Sequence, residues 1–381
     1  MSSLGIPAFL PEEGLVKLAE ELPSRVAEHT PTSHDPFGAV AKLVRQGLFA
    51  HVVPEALGGA PSPTGRPDTL DVRALCLVRE ALAYRSPLAD SIFAVQGLGS
   101  YPLVLGGDFP GRDAILREVA KGERVCAFAL TEPEAGSDVA SMRTVAEEEG
   151  GAYYLTGEKI YISNVGLAHH YVVFANADPA AGKKGISAFL VSAREAGLEL
   201  VSVPVGGGHP LGRLVLTRCK AERMIGEKGQ GLRLALGTLD VFRTSVGAAA
   251  CGMARRALDE TLAHVRSRTQ FGKRLVDFQL TQAALAEMWT KLEAARLLVY
   301  RAAHAKDTGH ADASLFVAMA KLEATESAQL VIDRAVQLHG GSGVVEGSVV
   351  EQLYRDVRPL RIYEGTSEIQ KLILGAALAK P

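Results

Sequence analysis

The sequence predicts an α+β protein of three regions, in the order helices, strands, helices. Three observations carry this expectation. Residues up to about 120 read as helices separated by turns, the stretch from about 124 breaks into short β-rich runs, and long amphipathic segments resume past Gly229. We place the boundaries at 1–122 for an N-terminal α-helical domain, 123–228 for a middle β-domain and 229–381 for a C-terminal helical domain. A chain of 381 residues exceeds what one hydrophobic core usually serves, so several domains are expected on length alone.

Within the first region, residues 74–83 (ALCLVREALA) and 113–121 space their apolar side chains as one helix face does, whereas 51–64 is rich in Pro and Gly and reads as a loop. In the second, 153–163 (YYLTGEKIYIS) reads as two β-rich runs around a turn at Gly157. YVVFA (171–175), ISAFLV (186–191), LELVSV (198–203) and RLVLT (213–217) follow, broken by Gly, Pro and Asp. Repeated short strands of this kind suggest a small β-barrel or sandwich. In the third, Leu285, Met288, Leu292, Ala295 and Val299 fall three or four apart, and 313–338 repeats that pattern up to a stop at Gly340-Gly341. Strands do not alternate with helices, so a doubly wound dinucleotide fold is excluded, and GGSG at 340–343, with no strand before it, is no dinucleotide fingerprint.

Composition narrows the partners. Apolar residues make up 47% of the chain, and 41 Lys and Arg stand against 43 Asp and Glu. There is neither the basic excess of a nucleic-acid surface nor an acidic tail. Cys76, Cys126, Cys219 and Cys251 are widely spaced without a CxxC pair, which argues against a disulfide framework and a zinc site; no metal is expected. His169, His170 and His339 lack a third ligand at metal spacing. The N-terminus has no positively charged start followed by an apolar run, and no stretch is apolar enough for a membrane span, so a cytoplasmic location is expected.

Four segments carry candidate chemistry. FALTEPEAGSD (128–138) offers backbone amides around Gly136 with the hydroxyls of Thr131 and Ser137; it suits a planar, hydrogen-bonding ring, or is a polar turn with Asp138 as a cap. Tyr161 and Ser163 lie two apart at a strand end and project to one side, to flank a flat ligand or to pack across the sheet. In SRTQFGKRLVDFQ (267–279), Arg268 and Lys273 near Gly272 suit a diphosphate, or form an ordinary basic loop. Lastly, QLHGGSG (337–343) is followed by YRDVRPLRIYEGTSEIQ (354–370). There Glu364 sits among apolar neighbours, where desolvation would make it a better base, or else it caps the helix near Ser367.

Taken together and in this order, LTEPEAGSD, RTQFGK and QLHGGSG…YRD…IYEGTSEIQ resemble the acyl-CoA dehydrogenase family over nearly the whole chain, from VPEALGG (53–59) to the last helix. The resemblance implies that family's fold: an α-helical domain, a β-domain and a C-terminal four-helix bundle. It implies FAD as cofactor, assembly into a homotetramer (or dimer) with FAD held partly by a neighbouring subunit, and an electron-transferring flavoprotein as acceptor. Position by position, it assigns Phe128, Leu130, Thr131, Gly136 and Ser137 to the flavin and its ribityl chain, and sets Tyr161 and Ser163 against the isoalloxazine. Arg268, Phe271 and Gln279 fall to the diphosphate and adenosine of the adjacent subunit's FAD. Gln337, Gly340 and Gly341 complete that site, and Thr366 and Glu368 lie near the phosphates. Asp240 and Arg243 match positions touching the pantetheine, Ser137 also meets CoA, and Gly365 borders the substrate. Glu364 becomes the base that takes the α-proton of an acyl-CoA while the β-hydrogen passes as hydride to flavin N5, giving a trans-2-enoyl-CoA as in fatty acid metabolism.

Three places depart from the family pattern: Gly347 stands where relatives carry an acid, 203–226 lacks the usual acidic strand end, and Ala376 replaces a common Arg. Asp90 stands where glutaryl-CoA dehydrogenases carry an Arg, which disfavours a dicarboxylic substrate. The competing readings are an oxidase or monooxygenase of the same fold, which oxygen consumption would reveal, and a non-catalytic FAD-binding relative, which the intact Glu364 opposes.

Overall fold

The computed structural model describes residues 10–30, 32 and 34–379. Helices come first: α1 (Glu13–Arg25), α2 (Pro36–Arg45), α3 (Val72–Arg85), α4 (Pro87–Leu105) and α5 (Arg112–Lys121). Strands follow as β1 (Cys126–Ala129), β2 (Val145–Glu149), β3 (Ala152–Ser163), β4 (His170–Asn176), β5 (Ile186–Ser192), β6 (Leu198–Ser202), β7 (Leu211–Lys220) and β8 (Arg223–Ile225). The helices then return as α6 (Gly231–Ser267), α7 (Gln279–Asp307), α8 (Ala313–His339), α9 (Val349–Val357) and α10 (Ser367–Leu378). A hairpin of β9 (Thr269–Gln270) and β10 (Lys273–Arg274) joins α6 to α7. N-terminal helices, a middle sheet and C-terminal helices are thus present as expected. By contacts, the chain forms two compact units. One gathers the segment up to His34, Asp71–Asp90 and everything from Arg243; the other holds Asp35–Leu70 and Ser91–Phe242.

The second unit is built on one sheet of eight strands, ordered β6-β7-β3-β2-β4-β5-β8, with β1 paired in parallel to β4. Its core gathers Ala127, Ala129, Leu155, Ile162, Tyr171, Val173, Phe189, Val191, Leu214 and Leu216, all buried. Central strands β4 and β5 are buried along almost their full length, which explains their unbroken apolar runs. Residues 152–163 form one strand rather than two around a turn. Gly157 sits in a register shift instead, where an added Cβ would come within 2.6 Å of Thr144 Oγ1. Gln96 of α4 ties the sheet to the helices: its Nε2 donates to the carbonyls of Val119 and Arg124, and its Oε1 accepts from Cys126 N–H. That triple contact fixes where β1 begins, and hence where residues 128–138 emerge.

The first unit is helical. Met288, Leu292, Ala295 and Val299 of α7 are buried as their spacing predicts, each large side chain contributing roughly 1.5–3 kcal/mol. On α8 the buried residues include Ala320, Ala324 and Ala328, small enough for helix backbones to approach closely. Asp307, at the end of α7, caps α3 from outside: Oδ1 accepts from Val72 N–H and Oδ2 from Arg73 N–H and Nε. Glu80 then holds α3 to α7 through Arg296 Nε (2.8 Å) and Tyr300 OH (2.7 Å). These buried contacts fix α3, which carries Arg79. One expectation is corrected here. Helix α4 is long and apolar enough by composition to cross a membrane, but 78% of that window is buried in the protein, as suits a core helix.

Candidate active site

In the helical unit the features converge on Glu364. It adopts φ +54°, a left-handed conformation that costs a non-glycine residue about 1–3 kcal/mol and persists only where the surroundings enforce it. Two cations do so. Arg243 Nε donates to the Glu364 carbonyl at 2.7 Å, and the buried Lys321 Nζ donates to the next carbonyl, that of Gly365, at 2.9 Å. Gln370 Nε2 adds a third bond, to the same Gly365 oxygen. The side chain so presented carries a buried oxygen, Oε2, with no hydrogen-bond partner among the described residues. Glu364 N–H likewise donates to no described group.

Burial raises the Glu364 pKa above the ordinary carboxylate range, and Asp90 adds to the rise, against the pull of Arg79, Arg243 and Lys321. Burial in turn lowers Lys321 to about 8. Beside Glu364 stands a charge pair no sequence pattern revealed. Arg79 of α3 grips Asp90 of α4 with Nε and Nη2, each 2.9 Å from a carboxylate oxygen, while Nη1 donates to Ser245 Oγ. Burial works against the Arg79 charge, but Asp90 outweighs it and keeps the guanidinium protonated. Glu364 is no helix cap. The N-cap of α10 is Thr366, whose hydroxyl accepts from Ile369 N–H.

Several other predicted residues of this unit lie at the surface. Arg268, Phe271, Gln279, Gln337, Gly340 and Gly341 are all exposed, with Phe271 95% accessible at the hairpin tip. Phe271 and Gly272 both have positive φ between paired Gln270 and Lys273, the two-residue turn whose twist matches an antiparallel pair. Gly347 has φ +89°, a conformation in which an acid would be strained. Glu368 is exposed in the first turn of α10. A separate open cleft of about 520 Å3, lined by Lys291, Glu323, Asp333 and Arg358 among others, contains none of the predicted site residues.

In the sheet unit the 128–138 segment is held from below. Lys159 Nζ, fully buried, donates to Glu132 Oε1 (2.7 Å) and to the Leu130 carbonyl (3.1 Å). Glu132 also accepts from the N–H groups of Arg143 and Thr144. So Glu132 is an anchor inside the protein, which leaves Thr131, Gly136 and Ser137 facing outward; Asp138 accepts from Ser141 Oγ at its carboxylate and from Ser141 N–H at its carbonyl. Leu130 is buried, and Phe128 packs on Phe174 with ring centroids 4.9 Å apart. On β3, Ile162 is buried, whereas Tyr161 is 65% exposed and Ser163 half-buried. Ser163 Oγ lies 2.8 Å from Nε2 of His209, to which the sequence pattern gave no role. Asp240 is half-buried on α6.

Among the described residues no cluster of His, Cys, Asp or Glu could hold a metal. Two of the predicted glycines leave open space for a bound group. Gly136 and Gly341 have negative φ and open space where a Cβ would stand, so each leaves room for an approaching group.

Comparison with known proteins decides the family. Three acyl-CoA dehydrogenase models match in sequence order: the N-terminal domain over 17–123, the middle domain over 127–219 and the C-terminal domain over 229–379. The chain belongs to the acyl-CoA dehydrogenase family. Among its curated relatives are the 3-(aryl)acrylate reductase of Clostridium sporogenes, 36% identical over 92% of both chains, and the caffeyl-CoA reductase–Etf complex subunit CarC of Acetobacterium woodii, 34% identical over 95% of both. Among solved structures, butyryl-CoA dehydrogenase from Megasphaera elsdenii superposes with a TM-score of 0.87 at 31% identity, covering 99% of this chain and 100% of that one. An acyl-CoA dehydrogenase from Bacillus anthracis complexed with FAD reaches 0.88 at 26% identity, covering 98% of this chain and 68% of that one. The protein is thus an FAD-dependent oxidoreductase acting on acyl-CoA thioesters.

Proposed function

We propose that this acyl-CoA dehydrogenase removes the α-proton of its substrate with Glu364, forming a trans-2-enoyl-CoA. The observation that carries the reading is the buried, unpartnered Oε2 of Glu364 on a backbone locked by Arg243 and Lys321. A lone pair with no internal partner is available to a proton that arrives with the substrate, and the raised pKa strengthens it as a base. The α-hydrogen of a thioester is a very weak acid, so charge developing on the thioester oxygen must be met by donors. The unengaged N–H of Glu364 is suited to this, being adjacent to the base by construction. FAD, when bound, supplies the sink for the β-hydrogen and its electron pair. Thr131, Gly136, Ser137, Tyr161 and Ser163 would hold its ring and ribityl chain, and Arg268, Phe271, Gln279, Gln337, Gly340, Gly341, Thr366 and Glu368 its phosphates and adenosine, partly across subunits of a homotetramer. Asp240 and Arg243 would meet the pantetheine; the bond from Arg243 to the Glu364 carbonyl would then couple substrate to base.

The acceptor is proposed to be an electron-transferring flavoprotein, since a relative is named as part of an Etf complex. The reverse direction has support too, because two relatives are named reductases. The same groups serve both directions, with Glu364 returning the proton. A dicarboxylic substrate is disfavoured, because the cation nearest the base on α3, Arg79, is already neutralised by Asp90. Anaerobic titration of the yellow protein with an acyl-CoA panel, beside Glu364→Gln, tests the proposal. Bleaching of the flavin by one chain class, lost in the variant with FAD retained, is expected. Undiminished bleaching in Glu364→Gln would dismiss Glu364 as the base.

A further inference from the structure

The segment that departs most from the family pattern ends in a histidine with two hydroxyl partners. Residues 206–208 are all glycine, and Gly207 (φ +74°) and Gly208 (φ +70°) turn the chain sharply before His209. Pro210 then restricts His209 to extended backbone (φ −62°, ψ 125°) at the entry to β7, where Leu211 N–H closes on the His209 carbonyl at 2.9 Å. The ring is thereby set between two elements of its own unit. Nδ1 lies 3.0 Å from Ser91 Oγ on α4, and Nε2 lies 2.8 Å from Ser163 Oγ at the end of β3. Burial keeps the imidazole neutral at physiological pH, with a pKa of about 4.

A neutral imidazole has one N–H and one lone pair, and each hydroxyl can give or accept. The Ser91–His209–Ser163 chain therefore has two complete polarities. In one, Ser91 donates to Nδ1, Nε2–H donates to Ser163 Oγ, and the Ser163 hydrogen is free to point onward. In the other every bond reverses, and Ser163 offers a lone pair instead. The net charge is the same in both; they differ by two hydroxyl rotations and by transfer of the ring proton from Nε2 to Nδ1.

We propose that His209 is a positioning residue that aims the Ser163 hydroxyl at the flavin ring and lets it act as donor or acceptor there. This rests on the reading of Ser163 as a flavin contact. It answers a requirement of flavin chemistry: a ring nitrogen that accepts a hydrogen bond when oxidised carries a hydrogen when reduced. A hydroxyl backed by a fixed-polarity partner serves only one of those states, whereas one backed by neutral His209 serves both. The departure within 203–226 then supplies a specific function rather than a lost one.

The test uses the holoenzyme with Ser163→Ala, His209→Ala, the double variant and His209→Gln, which keeps an amide group near the Nε2 position. The readouts are the visible flavin spectrum, the midpoint potential against a reference dye, and FAD release on dilution. Loss of one neutral hydrogen bond corresponds to a two- to tenfold change, so FAD release and the reduction equilibrium of His209→Ala are expected to change by about that factor. The change should match Ser163→Ala in direction, the double variant should add nothing, and His209→Gln should recover part of the effect. Should Ser163→Ala shift the spectrum and potential while His209→Ala leaves them alone, or should the two effects add, the role of His209 is refuted and Ser163 remains a flavin contact. An unaltered flavin in Ser163→Ala refutes the underlying contact and the proposal with it. If His209→Ala misfolds, shown by lost circular dichroism, His209→Gln decides alone: a spectrum and potential displaced from wild type in the direction of Ser163→Ala support the proposal, and wild-type values overturn it.

Discussion

Replacing Lys159 by Met probes how the 128–138 segment is held. The ammonium is fully buried, bonded at 2.7 Å to a carboxylate that is 5% exposed and at 3.1 Å to the Leu130 carbonyl. Methionine fills similar space without the charge, so the loss is electrostatic rather than steric. Isolating one member of a buried pair costs roughly 3–5 kcal/mol. Leaving the Leu130 oxygen without its donor adds about 1 kcal/mol. Against this, Glu132 keeps two backbone donors, at 2.6 and 3.1 Å, which continue to favour its charge. The net loss should therefore fall near 4 kcal/mol. Urea unfolding of the holoprotein, followed by far-UV circular dichroism, measures it as a lower midpoint at unchanged slope. Residues 130–144 lose their common anchor, so FAD should also dissociate more readily. Lys159→Met/Glu132→Gln removes the orphaned charge and should recover about 1–3 kcal/mol. A single-variant loss below about 1 kcal/mol, or strictly additive losses in the double variant, would refute the anchoring argument.

Other outcomes follow from the same contacts. Glu364→Gln should lower turnover by roughly 10²–10⁴-fold, the usual weight of a general base, with FAD content unchanged by absorbance. Asp90 holds the Glu364 pKa up, so Asp90→Asn should move the acidic limb of the pH profile of kcat/KM to lower pH; a shift to higher pH would contradict the assigned cause. His209, depressed from 6.5 to about 4, contributes stability that is complete above pH 6.5 and lost as pH falls towards 4. That contribution is at most about 3 kcal/mol, and His209→Gln should flatten the slope in denaturant melts across this window. Cys76, Cys126, Cys219 and Cys251 are buried, with burial raising each thiol pKa, so a thiol reagent should label none natively and four after unfolding.

What the sequence disclosed depended on whether a feature is local. Periodicity located α7 because Met288, Leu292, Ala295 and Val299 share one buried face, and β4 and β5 because burial on both sides leaves continuous apolar runs. Strand β2 (VAEEE) escaped because only Ala146 is buried there, so three glutamates masked the alternation. Gly157 passed for a turn because a bulge and a turn use glycine alike. Glu364 was singled out from IYEGT, but its setting was not legible. Arg79 and Asp90 lie on different helices, and Arg243 and Lys321 reach the Glu364 loop across 121 and 44 positions of chain. His209 escaped for the same reason: Ser91 and Ser163 are neighbours only after folding.

The left-handed backbone at position 364 bears on how variants of this protein would be surveyed. Glycine adopts φ +54° without the roughly 1 kcal/mol that a Cβ costs, and it removes a carboxylate whose ionisation burial opposes. Glu364→Gly should then accumulate in cells at least as well as the parent while lacking the proposed base altogether. Libraries ranked by yield, solubility or melting temperature would score that lesion as neutral or improved. At this position abundance and competence are opposed, and only a readout of turnover separates them.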